Sequence, residues 1–196
     1  MRALSVVVLV AAACAHRTET HPSNLRSSDF AVYQAALDSM FVSRAPSSFS
    51  QLVIGDSTEV FKGQNLAGTL ISTFSRLSLV DTAAVKDLTT RSREAHALKE
   101  LSRLGLRIPV VFVDRQALKS FPGQGPDKYW SQFYQRYPGS RGLIRLSAIG
   151  YGANGDLAIL MVDQFCGGLC GNGYIVALRR VGGMWRITAI QRTWVS

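Results

Sequence analysis

The chain predicts an α+β domain in which an antiparallel four-stranded carboxy-terminal meander packs against amphipathic helices. Three observations predict it. Residues 143–196 alternate strand-like runs with glycine turns. Trp130, Phe133, Tyr134 and Tyr137 recur at i, i+3, i+4 and i+7, which is one face of a helix. Leu157 to Val162 is wholly apolar, as in a central strand covered on both faces, so helices from the first half must cover the sheet.

The first helix starts with Ser28 as its N-cap, and Phe30, Tyr33, Leu37, Met40 and Phe41 fall on one face. Residues 43–50, with Pro46, form a loop. Residues 51–54 suit a short strand, and Gly55-Asp56-Ser57 a turn. Residues 58–80 fit no single element: Leu66, Leu70 and Phe74 have helical spacing, but Gly68 and the hydroxyl residues oppose it. Asp81 caps a helix carrying Val85 and Leu88. A further helix is expected over residues 91–104, with Leu98, Leu101 and Leu104 inward and Gly105 as its stop. Residues 108–113 form a strand, with Pro109 restricted to its start or to a sheet edge.

Asp114 caps a short helical turn through Leu118 and Phe121, which Pro122-Gly123-Gln124-Gly125 breaks. The aromatic helix begins at Pro126, a good first-turn residue, and Pro138-Gly139 ends it. The meander's strands are expected over 143–151, 157–162, 174–180 and 185–195, with a tight hairpin at Val181-Gly182-Gly183-Met184. Simple alternation in the last strand puts Trp185, Ile187 and Ala189 on one face. Arg186, Thr188, Ile190, Arg192 and Trp194 fall on the other.

The amino terminus sets the expected compartment. Met1-Arg2, an apolar run from Ala3 to Val10 and the small residues Ala11-Ala12-Ala13 have the make-up of an export signal. The run is shorter than the about 20 apolar residues that a membrane-spanning helix needs. Small residues directly before Cys14 resemble a bacterial lipoprotein signal, which implies lipidation of Cys14 and a membrane anchor. Ala11 stands where such signals usually carry Leu, and secretion after a cut behind Ala13 would need the same small residues. The expected organisation is a signal peptide over 1–13, a lipid-anchored or free tether over 14–27, and one domain over 28–196. The polar tether, extended, would reach about 40 Å.

Without residues 1–13 the chain has 183 residues (196 − 13), enough for one core. Its 22 Lys+Arg against 13 Asp+Glu give a net charge of +9 for the whole chain. From Lys128 onward the only acids are Asp156 and Asp163. Such a surface suits an anionic envelope component or an envelope protein, or simply solubilises a sheet face; nucleic acid is not expected outside the cytoplasm. With Cys14 spent on lipid, Cys166 and Cys170 remain as a pair in an oxidising compartment, where a structural disulfide persists.

The carboxy-terminal half resembles a set of uncharacterised bacterial exported proteins. The shared features are Trp130 with Phe133-Tyr134, Tyr137-Pro138-Gly139-Ser140, Leu146-Ser147, Cys166-Gly167, Cys170-Gly171, Gly183, Trp185 and the closing Trp194-Val195-Ser196. The resemblance spans residues 108–196. It implies export and assigns no catalytic, cofactor or ligand residue. The meander behind an amphipathic helix also resembles cystatin-like and nuclear-transport-factor-like cones, a likeness of fold that carries no function.

Motifs for chemistry are scarce. His16 and His21 lie in the tether, and His96 beside Ala95 and Ala97 is expected at the surface, so no metal-ligand spacing emerges. No Gly-x-Ser-x-Gly elbow and no phosphate loop is present. Asp156 and Asp163 are seven apart and so cannot share a strand face; Asp163, if buried, needs a partner such as Arg145 or Arg179. The expected function is a non-enzymatic envelope domain without cofactor or metal, presenting Arg186, Arg192 and Trp194 to a partner. The alternative is a small-ligand carrier or hydrolase with a pocket between the sheet and the helix of Trp130 and Tyr134.

Overall fold

The computed structural model describes residues 25–43, 45–61, 67–68, 70–72, 81–114, 116–117 and 125–196. The fold is α+β. Helix α1 (Ser27–Leu37) continues into a π-helical turn, Asp38–Val42. Strand β1 (Leu52–Gly55), helix α2 (Thr82–Arg91), a 3-10 turn (Lys99–Arg103) and strand β2 (Val110–Val113) follow. Helix α3 (Pro126–Arg136) then leads to β3 (Leu143–Leu146), β4 (Gly150–Tyr151), β5 (Leu157–Gly167), β6 (Cys170–Val181) and β7 (Met184–Val195).

The sheet is not the expected four-stranded meander. Among the described residues it has seven strands in the order β2-β1-β3-β5-β6-β7, with β4 also paired to β5. Strand β1 runs parallel to both β2 and β3, whereas β3–β5, β5–β6 and β6–β7 are antiparallel. Four-residue strands carry no sequence mark of their neighbours, so the parallel half was invisible to periodicity. The expected strand over 143–151 is split at Ser147. Ser147 exchanges bonds with Met161 through its amide and its hydroxyl (3.0 and 2.8 Å), while its carbonyl accepts from the Tyr33 hydroxyl at 2.7 Å. A side chain thus takes the place of a ladder carbonyl, and the backbone turns away.

Both sheet faces are covered. On one face, Val32, Ala36, Leu37 and Phe41 pack over Leu52, Ile54, Ile144, Leu146, Leu160 and Leu178. On the other, α2 places Ala84, Val85 and Leu88 on Ile159, Ile175 and Ala177, and α3 places Phe133 on Val53, Val113 and Leu143. The apolar run of β5 therefore meets helices on both sides.

The local signals hold at several ends. The Asp81 carboxylate accepts from the Ala84 amide at 3.0 Å, and that of Asp114 from the Gln116 amide at 2.8 Å; Leu118 and Phe121 lie outside the described residues. Pro109 immediately precedes edge strand β2. Gly182 and Gly183 have φ of 58° and 81°, the left-handed pair that a two-residue hairpin turn requires. Helix α1 is capped otherwise than expected: Asp29, not Ser28, takes the Arg26 amide, at 3.0 Å.

The helix expected over 91–104 does not form as one element. Helix α2 ends at Arg91, and the next residues pair with 56–61 instead. Thr58 donates its amide to the His96 carbonyl, the His96 amide donates to the Thr58 hydroxyl, and Leu98 donates to Asp56. Backbone partners supplied by a distant segment outweigh helix propensity here. His96 is consequently buried, with Nε2 at 3.0 Å from the Arg91 carbonyl, and does not lie at the surface.

Candidate functional site

Strand pairing builds a row of side chains across four strands on the α2–α3 face. Arg145 of β3 stands opposite Asp163 of β5, Asp163 opposite Gly173 of β6, and Gly173 opposite Trp194 of β7. Opposed residues of an antiparallel pair share a face, with Cβ atoms about 5 Å apart. Gly173 is the key to the row. A Cβ there would collide with the Trp194 indole, so the missing side chain lets the ring lie over β6 and reach Asp163. Trp194 Nε1 donates to Asp163 Oδ1 at 3.0 Å.

Arg145 does not bond the aspartate opposite it. Its guanidinium lies over the Phe165 ring, 4.6 Å from the centroid, and its Nε stands 3.7 Å from Glu59 Oε1. Phe165 in turn packs against Trp194, with ring centroids 5.3 Å apart. Glu59 is brought in by its own backbone, which pairs with Ser147 and donates to the Leu146 carbonyl at 2.8 Å. Burial pushes the Asp163 carboxyl above its usual range; the Trp194 hydrogen bond opposes this, nearby Glu59 adds to it and Arg145 opposes it. Tyr129 of α3 is close enough for Arg145 to temper the rise that burial causes in its phenol. The row thus holds a half-buried carboxyl, a guanidinium and an indole in one ladder register, with the Phe165 ring beside it on the same face.

The expected disulfide joins Cys166 and Cys170, with Cα atoms 5.0 Å apart, at the end of the β5–β6 hairpin. The Tyr134 hydroxyl ties this end to α3 by donating to the Cys166 carbonyl at 2.8 Å. Cys14, His16 and His21 lie outside the described residues.

The surface expected from Arg186, Arg192 and Trp194 does not share one face. Arg186 stands opposite Arg179 and Trp194 opposite Gly173, whereas Arg192 stands opposite Tyr174. Alternation along β6 puts 173 and 179 on one face and 174 on the other. Two bulges in β7 cause this. Register jumps from Ala189 to Ile187 and from Trp194 to Arg192, leaving Thr188 and Thr193 as extra residues.

Trp130 and Tyr134, expected to line a pocket, are packing residues. Fully buried Phe133 fills the interval between α3 and the sheet, with Trp130, Tyr134 and Tyr137 at centroid distances of 5.2, 5.4 and 5.0 Å from it. Asp156 pairs with Arg179 at 3.6 Å on the surface. A second charged cluster, Asp29 with Arg91, is buried between α1 and α2 and has a structural role.

Among the described residues no group of three or more His, Cys, Asp or Glu could hold a metal ion. No described helix is long and apolar enough to cross a membrane. No family model, no curated protein and no solved structure matches this chain.

Proposed function

We propose that the chain is an exported, non-enzymatic binding domain of the cell envelope whose partner is an anionic envelope component. The observation that carries this reading is the Arg145–Asp163–Gly173–Trp194 row. It sets polar groups and aromatic rings on a sheet face where a core would hold only aliphatic side chains. The Cys166–Cys170 disulfide supports the compartment, because such bonds persist outside the reducing cytosol. The signal-like segment over residues 1–13 and lipidation of Cys14 belong to the same proposal. The net charge of +9 supports the sign of the partner.

The carrier or hydrolase reading has weaker support, since Phe133 occupies the interval that its pocket would need. Co-sedimentation of the full chain with purified envelope polymer tests the proposal. Binding that weakens with added salt is expected; a chain left in the supernatant at low salt would overturn it.

A further inference from the structure

We infer that the Arg145–Asp163 row is a binding site for a carboxylate-bearing saccharide, with the guanidinium taking the sugar carboxylate and Asp163 taking a neighbouring hydroxyl. The inference rests on the envelope-binding reading above and names its ligand and site.

Four observations support the assignment. Arg145 and Asp163 are directly opposed in the β3–β5 ladder, yet Asp163 bonds Trp194 while Arg145 lies over Phe165 with its Nε 3.7 Å from Glu59. Opposite charges in that register would ordinarily bond each other. The Arg145 side chain is 39% exposed, and its described contacts are made by Nε and by the flat face over Phe165. Its two terminal nitrogens therefore present an open planar fork, the geometry that grips a carboxylate with two parallel hydrogen bonds. Asp163 uses Oδ1 for Trp194, and its second oxygen makes no hydrogen bond among the described residues. That oxygen is a ready acceptor for a hydroxyl on the same sheet face as the fork. Finally, the Phe165 and half-buried Trp194 rings give the apolar floor that the C–H face of a sugar ring requires.

The charge arrangement selects between anions. One guanidinium flanked by the carboxyls of Asp163 and Glu59 disfavours a dianionic phosphate more than a singly charged carboxylate with hydroxyls beside it. A polymer carrying one carboxylate per sugar also fits the net charge of +9.

The test is a calorimetric titration of the full chain with a galacturonic acid tetrasaccharide and with its methyl ester, at equal ionic strength, with Trp194 fluorescence followed in parallel. The acid is expected to bind about tenfold or more tightly than the ester, since a charge-assisted pair is at stake. Arg145→Gln should lose that advantage while still binding the ester, with its far-ultraviolet dichroism showing the fold retained. Arg145→Lys keeps the charge and the stem but not the fork, and should lose most of the advantage too. Asp163→Asn should weaken both ligands alike. Equal binding of acid and ester would overturn the inference. So would an unaltered Arg145→Gln, or equal displacement of the acid by inorganic phosphate. If Arg145→Gln still co-sediments with envelope polymer as the parent does, the saccharide site falls and the envelope reading stands. If the parent chain binds neither polymer nor tetrasaccharide, both fall.

Discussion

Arg91 grips Asp29 with two nitrogens, Nη2 to Oδ2 at 2.6 Å and Nη1 to Oδ1 at 3.2 Å, and both side chains are buried. The same Nη1 donates to the Ile149 carbonyl at 2.6 Å, and the Tyr151 hydroxyl donates to Asp29 at 3.0 Å. Helices on opposite sheet faces are thereby clamped together beside β4. Burial and the adjacent Asp29 charge hold the Tyr33 phenol well above its usual value, so it stays a donor to Ser147.

Breaking one side of this clamp leaves a buried charge without its partner. Asp29→Ala should lower stability by about 3–5 kcal/mol, measured by urea unfolding. The double change Asp29→Leu with Arg91→Met removes both charges and should recover most of that loss. Equal destabilisation by the single and the double change would mean the ion pair is not what the clamp depends on.

Phe133 fills the space beneath α3, while its aromatic neighbours are only partly buried. Phe133→Ala should cost about 3–5 kcal/mol and Trp130→Ala clearly less. Thermal unfolding of the two variants side by side checks the order, and the reverse order would reopen the pocket beside Trp130.

The aromatic helix, the β5–β7 hairpins and the disulfide were legible because each has a local signature: a 3.6 period, glycine turns, and two cysteines four residues apart among glycines. What was not legible depends on distant partners. Residues 92–98 have helical spacing but take their hydrogen bonds from 56–61. Thr188 and Thr193 look like ordinary strand residues, and only their pairing with β6 makes them bulges that send Arg192 to the face opposite Trp194. Asp163 stands out in the sequence as an acid behind an apolar run, and Arg145 and Arg179 are the partners the sequence offers it. That Gly173 clears the way for Trp194 to bond Asp163 is a cross-strand fact without any local mark.

Asp163 gives a pH signature. Its carboxyl is raised from 3.8 in the folded chain, chiefly by burial. Between 3.8 and the folded value the native state holds more protons than the unfolded one, so stability falls as pH rises through that window. Asp163→Asn removes the effect. Its melting temperature, relative to the parent, should climb from pH 3 to pH 7, and a parallel pair of curves would contradict the assignment.

The disulfide closes a short loop, so it should contribute modestly. Cys166→Ser with Cys170→Ser should cost about 2 kcal/mol, or about 4–8 °C in melting temperature for a chain of this size, with far-ultraviolet dichroism unchanged. Loss of the fold would show that the β5–β6 hairpin depends on the bond.

The proposed export is probed most directly by intact mass spectrometry of the chain recovered from fractionated cells and treated with iodoacetamide. The predicted species lacks residues 1–13, carries lipid on Cys14 or begins there unmodified, and takes no label at Cys166 or Cys170 until a reductant is added. A cytosolic chain still starting at Met1, with both of those thiols labelled, would contradict the placement of this protein in the envelope.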